Sequence, residues 1–246
     1  MQTEEYQKMR DLEDHYWWFV SRRRLALSLL AEYFPDPTLG LDLGSGTGAF
    51  LSELQSKFRC LGMDFSPHAL AFSKERGLVD LIQGDAERIP LHSDSIDLVV
   101  SLDTLEHVPN DVAAFDEILR VLKPGGTLIL NVPAYRWLWG PHDEALMHYR
   151  RYTRKFLRER LTSAGFEVRK TSYSVFFLFP AVVASRIIEK FRRGEAKVRL
   201  PQFPPFWNRQ LVGLMDFEAK LLKWVGLPYG SSLVAVARKP EAKLHP

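Results

Sequence analysis

From Leu39 onward the chain alternates short apolar runs with helix-compatible stretches, a pattern that fits a parallel sheet crossed by helices and little else. Strands are expected over 39–43, 59–64, 79–83, 96–102 and 127–132, with two further β-rich segments at 167–173 and 232–237. A helix should follow Pro67 at its first turn, and another should run over 109–122 until Lys123-Pro124-Gly125-Gly126 stops it. Thr153 is placed to cap a helix that runs through Leu161 and ends near Gly165. The 246 residues suit one α/β domain with additions, or at most two small domains, and 46% apolar content is enough for a core.

The first crossing reads "LDLGSGTGAF" over 41–50. Gly44, Gly46 and Gly48 can take positive φ and let a ligand approach without a Cβ in the way. Strand–turn–helix crossings of this kind bind nucleotides in α/β sheets. Gly44, Gly46 and Ala49 also fit the relaxed dinucleotide pattern. Asp42, two residues before Gly44, argues against a pyrophosphate and for a cationic ligand. Asp64 stands at the end of the second strand, where it can take both hydroxyls of a ribose. Asp85 and Glu87, after Gly84, can read the polar edge of an adenine.

With "LDLGSGTG", Asp64, "GDAERIPL", "SLDTLEHV" and "LKPGGTLIL" in this order, residues 39–132 resemble the class I S-adenosylmethionine-dependent methyltransferases. The resemblance implies a Rossmann-like α/β fold with a seven-stranded sheet of order 3-2-1-4-5-7-6, its last strand antiparallel. It implies S-adenosyl-L-methionine as cofactor. Asp42 and the turn of Gly44, Ser45, Gly46 and Gly48 would meet the methionine part, and Asp64 the ribose. Asp85 and Ala86 would meet the adenine, with Phe65 beside the site, while Leu102 and Asp103 would close the pocket. Glu106 and His107, in the family's "LEHV" signature, would shape its wall. A narrower likeness, carried by "HYWWFVSRRRL" and "HDEALMHYRRYTRKFLRERLTSAGFEV", is to bacterial methyltransferases of ubiquinone-biosynthesis and surface-glycan type. It implies an N-terminal helical lid over 1–38 in which Trp17, Trp18 and Arg23 reach the cofactor.

Methyl transfer to a hydroxyl gains from a general base, and the loop after the fifth strand supplies candidates in His142, Asp143 and His148. A metal site on these three is set aside, because their spacing matches no helical histidine pair. Arg150, Arg151 and Arg154 either bind an anionic substrate group or form a solvated helix start. The acceptor expected is a small or lipid-linked molecule, such as a lipid, quinone precursor or lipid-linked glycan. The alternatives are a soluble metabolite and a non-catalytic cofactor-binding scaffold. Net charge of +3 gives no argument for nucleic acid, and none is expected as a partner.

The core is expected over 39–174, a helical insertion over 175–230, and the last strand and tail over 231–246. Within the insertion, Val183, Ala184, Ile187, Ile188 and Phe191 share one helical face, and Leu211, Leu214, Phe217, Leu221 and Trp224 share another. Between Arg186 and Arg199 stand six basic residues (Arg186, Lys190, Arg192, Arg193, Lys197, Arg199) against Glu189 and Glu195. Such stretches suit a membrane interface, a cap over the substrate pocket or a homodimer contact. Cys60, the only cysteine, excludes an internal disulfide framework and reads as a buried strand thiol. The N-terminus is polar and acidic, unlike a signal peptide, and no apolar run reaches about 18 residues, so the expected location is cytoplasmic or peripheral on the inner membrane face.

Overall fold

The computed structural model describes residues 3–191 and 203–241. Arg192, Arg193, Glu195, Lys197 and Arg199 of the basic cluster lie outside the described residues. Seven strands form one sheet: β1 (Leu39–Leu43), β2 (Arg59–Asp64), β3 (Leu81–Gln83), β4 (Ile96–Leu102), β5 (Leu122–Pro133), β6 (Glu167–Ser174) and β7 (Ser232–Arg238). Their order is β3-β2-β1-β4-β5-β7-β6, with β7 antiparallel to both neighbours and the other pairs parallel. This is the class I order expected from the motifs.

The helices are α1 (Thr3–Leu12), α2 (Trp17–Tyr33), α3 (Ala49–Gln55), α4 (Pro67–Glu75), α5 (Asp111–Val121), α6 (Pro141–Ala145), α7 (Arg154–Ser163), α8 (Phe179–Phe191) and α9 (Pro205–Trp224). Strand alternation divides the core between the two faces of the sheet. Leu41, Leu43, Leu128 and Leu130 pack with Phe115, Ile118, Leu157 and Leu161 of α5 and α7. Leu98, Val100, Ile129 and Val236 pack with Leu29, Leu54 and Leu222 of α2, α3 and α9. Caps fall where short polar side chains stand: Ser66, Asn110 and Thr153 accept from the N–H three residues on.

The structure departs from expectation at two strands. β3 starts at Leu81 because Asp80 takes φ 55°, and Val79 before it is exposed. The helix ends at Val121, before Lys-Pro-Gly-Gly as expected, but that segment lies inside β5, where Leu122 already pairs with Ile96. A register shift between Ile96 and Leu98 absorbs it, with Gly125 at φ 78° and its N–H on the Lys239 carbonyl.

The structure shows which faces of the insertion are buried. α9 buries Met215, Glu218, Ala219 and Leu222, whereas Phe217 and Trp224 are exposed, Trp224 at 87%. On α8, Ile187 and Ile188 are exposed while Arg186 pairs with Glu189 beside Gly140. Among the described residues no helix is long and apolar enough to cross a membrane.

Candidate active site

The cofactor cradle is built by the turn between β1 and α3. Gly44, Gly46 and Gly48 have φ of 80°, 56° and 89°, values that L side chains rarely adopt. The N–H groups of Gly44 and Ser45 both donate to the Met63 carbonyl, at 2.8 and 3.0 Å, which fixes the turn against β2. A Cβ at Gly44 would land on the Thr104 side chain. Asp64 ends β2 and accepts one N–H on each oxygen, from Gly46 at 2.9 Å and Ser66 at 2.8 Å. Each oxygen keeps a lone pair for a hydroxyl donor. Burial raises the Asp64 carboxyl, and those two N–H groups oppose the rise.

Asp42 is 2% exposed, and among the described residues neither its Oδ2 nor the buried Ser45 hydroxyl has a partner. Burial pushes the Asp42 carboxyl up to about 7, against the pull of Arg22 and with a further push from Asp64 and Glu13. Unpartnered buried oxygens beside a glycine turn fit a ligand that brings donors or positive charge. A phosphate would set its charge against Asp42. The residues therefore suit an amino-acid and ribose moiety better than a pyrophosphate.

Other expected contacts are placed less directly. Phe65 projects to solvent at 75% exposure. Asp85 is exposed and spends its Oδ1 on the Glu87 N–H at 2.9 Å, while Ala86 is buried. Leu102 is buried, and Asp103 (φ 53°) pairs with Arg22 and accepts from Asn131. Trp17, Trp18, Ser21 and Arg22 of α2 line a small pocket with Asn131 and Ser232 of β5 and β7. Trp17 Nε1, Ser21 Oγ and Arg22 Nε lack partners among the described residues.

The helices before β1 close over the cradle through residues the sequence reading did not single out. Met9 of α1 packs on Gly46. The buried Glu13 carboxylate accepts from the Thr47 hydroxyl and, at 2.6 Å, from Arg76 Nη2. Arg23, expected to reach the cofactor, instead donates to the Glu13 carbonyl and to Glu53. The only sequence signal for this network was charge, acids before β1 against Arg76 after α4.

A second constellation forms beyond β5. Asp143, on α6, is fully buried and accepts from the Gly140 N–H at 2.9 Å, from Arg151 Nε at 2.7 Å and from Arg151 Nη2 at 3.0 Å. Burial would raise its carboxyl, but the bonds from His148 and Arg151 hold it well below the usual carboxylate range. His148 Nδ1 lies 2.9 Å from Asp143 Oδ1. An ionised carboxylate only accepts, so Nδ1 carries the proton and Nε2 the lone pair. His142 is pushed down to about 4, and His107 down to about 3, by burial first and then by neighbouring Arg186 and His148 respectively. Glu106 is buried and lifted well above the ordinary range by burial and by Asp103.

Arg150 and Arg151 spend their guanidinium groups on the protein, whereas Arg154 keeps a buried Nε without a partner among the described residues. Arg151 holds Asp143 and the Ala134 carbonyl, Arg150 donates to Val108, and Arg154 lies over Tyr173 and bonds to Leu227. Arg150 and Arg151 brace the loop.

The strand order, the glycine turn and the acids at the ends of β1 and β2 define a class I methyltransferase fold. Residues 41–130 match the family described as "Methyltransferase domain". The chain is 32% identical over 181 residues to a malonyl-[acyl-carrier protein] O-methyltransferase of Methylococcus capsulatus, covering 66% of each chain. It is 28% identical over 174 residues to an uncharacterized methyltransferase of Mycobacterium leprae, covering 68% of this chain and 62% of that one. It thus spans less than two thirds of the length of these relatives. An S-adenosylmethionine-dependent methyltransferase from Thermotoga maritima superposes with TM-score 0.62 at 20% identity, over 96% of this chain and 95% of that one. The chain carries a class I S-adenosylmethionine-dependent methyltransferase domain, and S-adenosylmethionine is the cofactor its cradle fits.

Proposed function

We propose that this protein transfers a methyl group to a hydroxyl on a lipid, quinone-precursor or lipid-linked glycan acceptor. When bound, the cofactor supplies a methyl group on a sulfonium, an electrophile with a good leaving group. Asp42, the Gly44 turn and Asp64 hold it, and the network of Glu13, Thr47 and Arg76 keeps α1 over the cradle and excludes water. The acceptor proton passes to His148 Nε2. Asp143 stabilises the charge that forms on the ring and keeps it oriented, with Arg151 as the brace. The observation that carries the reading is the His148 ring bonded through Nδ1 to a buried, ionised carboxylate. A lipid acceptor is supported by the exposed Ile187, Ile188, Trp207 and Trp224 of the insertion.

A second reading is methylation of a carboxylate. The unpartnered Nε of Arg22 in the pocket favours it, as does similarity to an enzyme whose name states O-methylation of a malonyl carrier. A carboxylate needs no base. His148→Gln distinguishes the two. Hydroxyl methylation should slow by about 10²-fold with S-adenosylhomocysteine affinity unchanged, whereas unchanged turnover removes the base and leaves the carboxylate reading. Mass spectrometry of lipid and metabolite extracts, incubated with methyl-labelled cofactor, identifies the acceptor.

A further inference from the structure

The turn after β4 and the loop after β5 are tied by their backbones, the Tyr149 N–H donating to the Glu106 carbonyl at 2.7 Å. The tie gathers Glu106, His107 and His148, with one ligating atom of each within 4.8 Å of the others. This set crosses two loops, and sequence spacing gave no sign of it. Both carboxylate oxygens of the fully buried Glu106 lack a partner among the described residues. Buried carboxylates are ordinarily satisfied by donors or by a cation. The His148 imidazole is held from behind, with Nδ1 on Asp143, which leaves its other nitrogen spare. The His107 and His148 rings meet edge-on with centroids 4.5 Å apart. A carboxylate or carbonyl behind a histidine is the arrangement that orients metal-ligating imidazoles. Both histidines are of intermediate exposure as residues, and the His148 side chain itself is 6% exposed.

We propose that Glu106, His107 and His148 bind a divalent transition-metal ion, with Zn²⁺ the best match to two imidazoles and one carboxylate. Three protein ligands leave a coordination position free for an acceptor oxygen. Binding itself does not depend on the methyl-transfer reading, but its catalytic consequence rests on it. An ion at this place lowers the pKa of a hydroxyl it meets. The O–H bond then breaks with the proton passing to solvent, and the ion takes over the task of the His148 lone pair.

The test uses full-length, chelator-treated protein titrated with Zn²⁺ by calorimetry and with Co²⁺ by visible absorption. Expected are one ion per chain, visible Co²⁺ absorption bands, and a melting temperature that rises with excess Zn²⁺. Loss of an outer partner typically costs about 10–100-fold in metal affinity, so Asp143→Asn should weaken Zn²⁺ by that amount. Glu106→Gln and His107→Gln remove ligands and should each weaken it by at least ~100-fold. His142→Gln should leave the affinity unchanged, because His142 lies outside the cluster. Circular dichroism checks folding, and if Glu106→Gln does not fold, His107→Gln carries the test. Retention of no ion, or affinity indifferent to the ligand substitutions, overturns the site. Protein that binds Zn²⁺ but transfers no methyl keeps the site and loses the proposed function. Protein that binds no Zn²⁺ and turns over equally in excess chelator loses the site and keeps the function.

Discussion

Asp42 and Asp64 share a turn yet do different physical work. Asp64 already accepts two N–H groups and so stitches the glycine turn to β2, whereas one oxygen of Asp42 has no partner. Replacing Asp64 by Ala should lower S-adenosylhomocysteine affinity more than tenfold, since each charge-assisted ribose bond is worth about 1.5–3 kcal/mol. Titration calorimetry checks this, and an unchanged affinity would move the ribose elsewhere. Asp42 makes binding pH-dependent. Its carboxyl titrates near 7 in the folded chain, against an ordinary value of 3.8. A ligand ammonium wants the carboxylate, so affinity should fall as pH drops below about 7 and level off above it. Stability of the ligand-free protein runs the opposite way. A raised folded pKa means the native state binds the extra proton, so this contribution is complete below about 4 and is lost as pH rises towards 7. Asp42→Asn should flatten both profiles, measured by calorimetry and by urea unfolding across this range.

Single elements show where the sequence could be read and where it could not. The strands and the caps of α4, α5 and α7 were legible because period-2 apolar runs and Ser, Asn or Thr caps are local signals. The glycine turn after β1 was legible too, with Asp42 and Asp64 on the two adjacent strands beside it. The brace around Asp143 was not, because Arg151 could be assigned to a substrate anion until the fold showed its fork on a buried carboxylate. Which side of α9 is buried was not legible for a related reason. Its apolar residues wrap more than one side, and a charged residue, Glu218, belongs to the buried stripe. Glu218 accepts from the N–H groups of Val175, Phe176 and Phe177 at 2.6, 2.8 and 3.2 Å and so clamps α9 to the end of β6. Glu218→Ala should strand these donors and cost about 2–4 kcal/mol in chemical denaturation. Glu218→Gln keeps an acceptor and should cost less. Equal stability of the alanine variant would mean that water or a neighbour replaces the clamp.

At the scale of the whole molecule, the insertion has two sides. Met215 of α9 lines the pocket beside Trp17 and Trp18, while α8 and α9 leave Ile187, Ile188, Phe206, Trp207, Phe217 and Trp224 at least half exposed. Large apolar patches on a surface mark an interaction site. The segment from Arg186 to Arg199 adds six basic residues against two acids, a net charge of +4 by sequence. Apolar residues with tryptophans beside a basic segment suit the interface of an anionic bilayer. Under the lipid-acceptor proposal this surface brings the substrate pocket to the acceptor. The two contributions respond differently to salt. Each basic residue near an anionic surface is worth about 1 kcal/mol and is screened, whereas apolar burial is not. Co-sedimentation with phosphatidylserine-rich vesicles should therefore weaken in high salt without disappearing. Replacing Trp207 and Trp224 by Ser should abolish the salt-resistant part and leave S-adenosylhomocysteine affinity intact. Arg192→Glu with Arg193→Glu should remove mainly the salt-sensitive part. If the protein stays in the supernatant at low salt, the exposed face does not bind bilayers. A concentration-dependent sedimentation coefficient would then assign it to a second copy of the chain.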